Sequence, residues 1–121
     1  MKKKILVIDD EELIIKSLEK LLEKNGFDVY VAKNGQDAIV MAEEESFDLI
    51  IADIRMPGIN GVDTVKAILE KGVSVKRPVI FITGYADEEI KNQAKAINPT
   101  AYIYKPFDIS ILVNEVKKVI K

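Results

Sequence analysis

Neither cysteine nor histidine occurs among the 121 residues. That double absence removes thiol nucleophiles, disulfides, thiolate zinc sites and any Ser-His-Asp triad from what the chain does by itself. Carboxylates, hydroxyls, lysines and a hard metal ion are left for chemistry. The lack of cysteine fits a reducing cytosol, and a cytoplasmic location is expected, although a secreted chain can also lack cysteine.

Basic excess is missing too. The 18 Lys and Arg stand against 20 Asp and Glu, a net charge of -2, so there is no concentrated positive surface for nucleic acid or anionic lipid. Direct nucleic-acid binding is therefore not expected. Long apolar runs are absent as well: the stretch from Ile5 to Ile8 behind Met1-Lys2-Lys3-Lys4 ends in acids and is far too short for a signal sequence or a membrane span. Glycine and proline are sparse, six and four, in a composition 48% hydrophobic and 31% charged. No repeat or disordered tract is visible, and the length suits one compact domain with one core.

Along the chain, apolar runs alternate with helical periodicity. Lys4 to Ile8 reads as a strand buried on both faces, and Glu11 to Asn25 as a helix stopped by Gly26. Asp28 to Ala32 is a second strand; Asn34-Gly35 turns into a helix ending near Glu45. Asp48 to Ala52 is the third strand, then Met56-Pro57-Gly58 turns and a helix follows from Gly61 to Lys71. Pro78 to Thr83 is a β-branched fourth strand, Asp87 to Ile97 a helix, Ala101 to Tyr104 a fifth strand, and Asp108 opens the last helix. Strands alternating with helices predict an α/β, doubly wound fold, a parallel sheet covered on both faces. Function in such sheets gathers outside the carboxyl ends of the strands.

Those ends are chemically loaded. Strand one closes on Asp9-Asp10, strand three on Asp53, strand four on Thr83 and strand five on Lys105, while strand two closes on Ala32-Lys33. Two carboxylates at ~4 Å repel by roughly 4 kcal/mol at an intermediate dielectric, so the cluster requires a cation or raised pKa values. A divalent ion on a few carboxylates, keeping waters and meeting a phosphate, is the pattern of magnesium rather than of a calcium cage. Each residue alone has an ordinary reading: acids at a helix start, Asp53 as a turn former, Thr83 as a strand residue, Lys105 as a solvated lysine. The combination is what points to a site. Glu11 and Glu12 are read as first-turn acids favoured by the helix N-terminus.

The segments "VIDDEE", "DLIIADIRMPGINGVD", "VIFITGYAD" and "AYIYKPF" make the chain resemble, along nearly its whole length, the receiver domains of two-component response regulators. The resemblance implies a (βα)5 three-layer sandwich with a five-stranded parallel sheet in the flavodoxin-like order 2-1-3-4-5. It implies phosphorelay signalling in which Asp53 accepts a phosphoryl group from a phosphohistidine on a sensor histidine kinase or histidine phosphotransfer protein. Asp10, Asp53 and the backbone carbonyl of Arg55 would hold Mg2+, with Mn2+ able to substitute, and Asp9 would act through water. Lys105 and Thr83 would meet the phosphoryl oxygens. Such a domain catalyses its own phosphorylation and dephosphorylation without being an enzyme of a separate substrate.

The same resemblance implies a switch through Thr83 and Tyr102 that alters the surface of helix four, strand five and helix five toward a downstream protein target. Tyr102 by itself reads as a half-buried strand aromatic. Around helix one, Ile14, Ile15, Leu18, Leu21 and Leu22 form one stripe at ~100° per residue, and Leu13 lies off it. Leu13, Ile14 and Pro106 are the expected docking residues. The departures from the family pattern are Gly84 where alanine is usual, Asn98-Pro99 before strand five, and the side chains of Arg55 and Tyr85 flanking the site. Residues 1–121 are read as a single receiver domain with no effector domain, either standing alone or cut from a larger regulator.

Competing readings fit less well. A flavodoxin-like electron carrier needs hydroxyls and N–H groups after strand one, where four acids stand here. A haloacid-dehalogenase-type phosphatase spaces its paired acids two apart, and Asp9 and Asp10 are adjacent. The alternative kept open is a receiver-fold interaction module not regulated by phosphate, which would normally have lost an acid, the Thr or the Lys.

Overall fold

The computed structural model describes residues 2–71, 78–84 and 88–120. Five strands and five helices alternate: β1 (Lys4–Ile8), α1 (Glu12–Lys24), β2 (Asp28–Ala32), α2 (Gly35–Glu44), β3 (Leu49–Asp53), α3 (Gly61–Lys71), β4 (Val79–Thr83), α4 (Glu88–Ile97), β5 (Ala101–Tyr104) and α5 (Ile109–Val119). Tyr85 and Asp87 lie outside the described residues. All strand pairs are parallel and the order is β2-β1-β3-β4-β5.

The interior strands β1, β3 and β4 are continuous apolar runs because both of their faces are covered. Successive side chains alternate between two cores. Leu6, Ile8, Ile50, Ala52 and Phe81 pack with Ala38, Val62, Val65, Ile68 and Ala94 of α2, α3 and α4. Ile5, Val7, Leu49, Ile51, Ile80 and Ile82 pack instead with Leu18 and Leu22 of α1 and Leu112, Val113 and Val116 of α5. Three layers follow directly from this alternation.

The chain punctuates its helices locally. Gly26, at φ +90, ends α1: its N–H donates to the Glu23 carbonyl at 3.0 Å and that of Phe27 to the Leu22 carbonyl at 3.1 Å, a Schellman closure. Asn34 and Asn60 each accept from the N–H three residues on, Asp37 and Asp63, at 2.8 Å. Asp108 caps α5 through the Ser110 N–H at 2.9 Å.

Three strand boundaries move by one residue from the sequence expectation: β3 begins at Leu49 and runs on to Asp53, and β4 begins at Val79. Asp48 precedes β3, its carboxylate accepting from the Lys4 N–H at 2.8 Å. Pro78 precedes β4, where it lacks an N–H to give but accepts from the Ile50 N–H at 3.1 Å. With β1 lying between β2 and β3, the chain reverses its direction of travel across the sheet between β1 and β3, and the crevice opens at their carboxyl ends.

Candidate functional site

Register, rather than sequence proximity, assembles the site. Ile8 pairs with Ala52, so Asp9 and Asp53 stand level at the ends of neighbouring strands. Asp53 pairs with Ile82, and Thr83 with Tyr104, which brings Thr83 and Lys105 to the same edge. The Lys105 N–H donates to the Thr83 carbonyl at 2.8 Å, continuing the ladder one step past the strand.

One carboxylate oxygen from each of Asp9, Asp10 and Asp53 falls within 4.8 Å of the others. Asp9 and Asp53 are buried, and Asp10 is exposed. Asp9 Oδ1 accepts from the Glu11 N–H at 2.9 Å, while Asp9 Oδ2 is buried with no hydrogen-bond partner among the described residues. Asp53 Oδ1 accepts from the Arg55 N–H at 3.2 Å, and Asp53 Oδ2 accepts from the Lys105 ammonium at 3.0 Å.

The electrostatics follow from this packing. Burial pushes the Asp9 carboxyl up to about 6, the Glu11 N–H pulling against it and the Asp53 charge adding to it. Burial also raises Asp53, and the bond from Lys105 offsets only part of that rise. For Lys105 the balance is reversed: burial disfavours its charge, but the bonds to Glu11 and Asp53 outweigh it and hold its pKa above the ordinary value. The Lys105 ammonium is thus shared between Asp53, one of the three clustered carboxylates, and Glu11 outside the cluster.

Buried oxygens without partners suggest what is to be bound. Thr83 Oγ1 has no partner among the described residues, and a hydroxyl in that state is a donor held ready for an acceptor. The Asp9 Oδ2 orphan, the hard oxygen donors and the want of His and Cys fit a magnesium-type ion and fit a soft metal poorly. Tyr102 packs its ring on Phe81, centroids 6.1 Å apart, and its hydroxyl is likewise buried with no partner among the described residues.

Every strand-end residue expected from the sequence is brought to this edge. Ile14 and Pro106 line a groove of about 420 Å³ with Glu11, Lys105, Phe107 and Ile109. Leu13, 83% exposed, stands free of the core as its position on α1 required. Glu11 corrects the reading. It precedes α1 as its cap residue, and its carboxylate accepts from the Lys105 ammonium; Glu12 alone is the first-turn acid, paired with Lys33. Gly84 leaves room for a methyl group, which would rest 3.6 Å from the Lys105 side chain.

Comparison with known proteins places the chain in a family. The chain matches the family model described as a response regulator receiver domain over residues 5–117. The alkaline phosphatase synthesis transcriptional regulatory protein PhoP of Bacillus subtilis is 33% identical over 121 residues, covering 100% of this chain and 50% of that protein. The transcriptional regulatory protein CrdR of Helicobacter pylori is 32% identical over 118 residues, 98% of this chain and 55% of that protein. The chain therefore spans about half the length of the curated relatives it matches. Among solved structures, the chemotaxis protein CheY4 of Vibrio cholerae gives a TM-score of 0.89 at 29% identity, covering 99% of this chain and 100% of that one.

Proposed function

The chain belongs to the response regulator receiver family, and from that premise we propose that Asp53 is its phosphoacceptor in a two-component phosphorelay. The observation that carries the reading is the convergence on one sheet edge of Asp9, Asp10 and Asp53, the Lys105 ammonium on Asp53, and the unpartnered Thr83 hydroxyl. Membership of the family implies a phosphohistidine on a sensor histidine kinase or histidine phosphotransfer protein as the phosphoryl donor, and the absence of histidine from this chain is consistent with a donor histidine on another protein.

In the reaction, an Asp53 carboxylate oxygen forms a bond to phosphorus as the P–N bond of the donor breaks and its electron pair stays on the imidazole. Both reactants are anionic, so the site's work is positioning and charge compensation. Lys105 lies against Asp53 and is placed to follow the charge onto the phosphoryl oxygens. Thr83 offers its hydroxyl to one of them. Asp10, Asp53 and the Arg55 carbonyl would hold Mg2+ directly and Asp9 through water; when bound, the ion neutralises phosphoryl charge. Attack of water on phosphorus, breaking the P–O bond so that its electron pair returns to the Asp53 carboxylate and inorganic phosphate leaves, makes the domain self-dephosphorylating. A bonded Thr83 draws inward, and Tyr102 follows it, shifting the balance of two states on the surface of α4, β5 and α5 toward a downstream protein.

Ile14, Pro106 and exposed Leu13 are the face offered to the donor protein. A cytoplasmic location, in reach of the kinase, belongs to the same reading, as does the span 1–121 as one receiver domain. Incubation with Mg2+ and acetyl phosphate, resolved on a phosphate-affinity gel, tests it. One shifted band is expected, absent in Asp53→Asn; no shift, or a shift surviving that substitution, would refute it.

A further inference from the structure

The Lys105 ammonium is held from two sides, donating to Asp53 Oδ2 at 3.0 Å and also to Glu11 Oε1. Its two acceptors differ in setting: the Asp53 side chain is 3% exposed and that of Glu11 53%. Glu11 occupies the cap position of α1 with extended backbone, yet its side chain makes no capping bond. Its N–H donates instead to Asp9 Oδ1 at 2.9 Å. A single residue therefore touches the acid cluster through its backbone and the site's cation through its carboxylate.

We propose that Glu11 is a positioning residue for phosphoryl transfer, anchoring the Lys105 ammonium on the open side of Asp53. The inference deepens the phosphoacceptor reading of Asp53 and rests on it. An ammonium carries three donors on a flexible stem. With Asp53 and Glu11 taking two, the third N–H remains for a phosphoryl oxygen.

The reaction makes the second anchor matter. As Asp53 bonds to phosphorus, the charge that holds Lys105 leaves the carboxylate for the phosphoryl oxygens, and the Asp53 tie weakens. Glu11 takes no part in the bond change, so it keeps its charge and its place on the α1 cap. Lys105 then passes from carboxylate to phosphoryl oxygen while one partner stays constant. A second effect of Glu11 has the opposite sign: its negative charge repels the arriving anion, which on its own would make removal of Glu11 accelerate transfer. The two are separable, because positioning acts through Lys105 and repulsion does not.

The experiment uses the full chain with saturating Mg2+ and acetyl phosphate as the donor, comparing Glu11→Ala, Glu11→Gln, Lys105→Met and the Glu11→Ala/Lys105→Met pair. Glu11→Ala should lower the saturating rate constant about fivefold, the scale of a partly solvated ion pair, with the half-saturating donor concentration unchanged. Glu11→Gln, which keeps an acceptor oxygen without the charge, should recover part of the loss. With Lys105 already replaced, removing Glu11 should cost nothing further. As a readout independent of turnover, the two Cε protons of Lys105 should give distinct NMR signals in the wild type and one averaged signal in Glu11→Ala. A faster Glu11→Ala, a loss that persists without Lys105, or an unchanged Lys105 signal would overturn the positioning role. If the wild type is phosphorylated at Asp53 and the Glu11 variants match it, the positioning role alone fails. If a folded wild type takes no phosphate, the phosphoacceptor reading fails and this one with it.

Discussion

A β-carbon on Gly61 would fall 2.0 Å from the carbonyl oxygen of Asp53 and 2.8 Å from its carbonyl carbon. The first residue of α3 is thus pressed against the backbone of Asp53, and its N–H reaches the Ile54 carbonyl at 2.9 Å. Backbone cannot yield as a side-chain tip can, so Gly61→Ala should destabilise the chain by about 2–3 kcal/mol, as overpacking does. It should also slow phosphorylation by displacing Asp53. Urea unfolding read beside the acetyl phosphate assay checks both; a stability within experimental error of wild type would contradict the close approach.

Asp10 and Glu12 are neighbours in sequence with different work. Asp10 belongs to the three-carboxylate cluster, whereas Glu12 pairs with Lys33 at the surface, both side chains more than half exposed. Asp10→Asn should reduce phosphorylation at limiting Mg2+ by about tenfold or more, as loss of a metal-site group does. Glu12→Gln should leave the rate unchanged and alter stability by less than about 0.5 kcal/mol. Magnesium titrations of the rate distinguish the two, and equal behaviour would remove Asp10 from the metal site.

Asp9 makes stability depend on pH in a direction opposite to that of a salt-bridged acid. Its folded value of about 6 stands above the ordinary 3.8, so the folded chain binds this proton more tightly than the unfolded one. That contribution is complete below about 3.8 and is lost as pH rises through about 6. In EDTA, the wild type should lose up to about 3 kcal/mol relative to Asp9→Asn across that window. Denaturation curves at both ends of the window measure it; a constant difference between the two proteins would argue against it.

The hydroxyl of Tyr102 is buried without a partner among the described residues, beside the ring of Phe81. An unmet buried hydroxyl costs free energy that its removal returns. Tyr102→Phe should therefore be neutral or stabilising by about 1 kcal/mol in thermal unfolding. A loss of stability would mean that the hydroxyl has a bond in the folded chain.

Leu13 is 83% exposed, so its replacement removes almost no buried surface. Leu13→Asp should leave the unfolding midpoint and the acetyl phosphate rate unchanged, while slowing transfer from a phosphorylated histidine kinase domain. Equal slowing with both donors would place the effect in the chemistry rather than in docking.

Much of this was legible in the sequence because the strands are short apolar runs ended by polar residues. The acids, Thr83 and Lys105 announced themselves at those ends. The Glu11 pairing did not, since its partner lies 94 residues away and only the sheet order brings them together. Nor did the reason for Gly61: a glycine opening a helix reads as a turn residue until the backbone beneath it is seen. Asp48 and Pro78 read as strand residues from their apolar neighbours, and each lies one step before its strand: the Lys4 N–H donates to the Asp48 carboxylate while the Asp48 N–H donates to the Lys4 carbonyl, both at 2.8 Å, and Pro78 has no N–H to give.

The parallel register also sets which changes in length the domain can absorb. Asp9 is level with Asp53 because Ile8 faces Ala52, and Thr83 and Lys105 are counted off from the same rungs. A residue inserted within a strand would turn each later side chain of that strand to the opposite core and carry its terminal group off level. One inserted in a crossover at the far end of the sheet would leave every rung where it stands. The ladder is in effect a gauge bar, isolating the spacing of the strand-end groups from the lengths of the loops that deliver them.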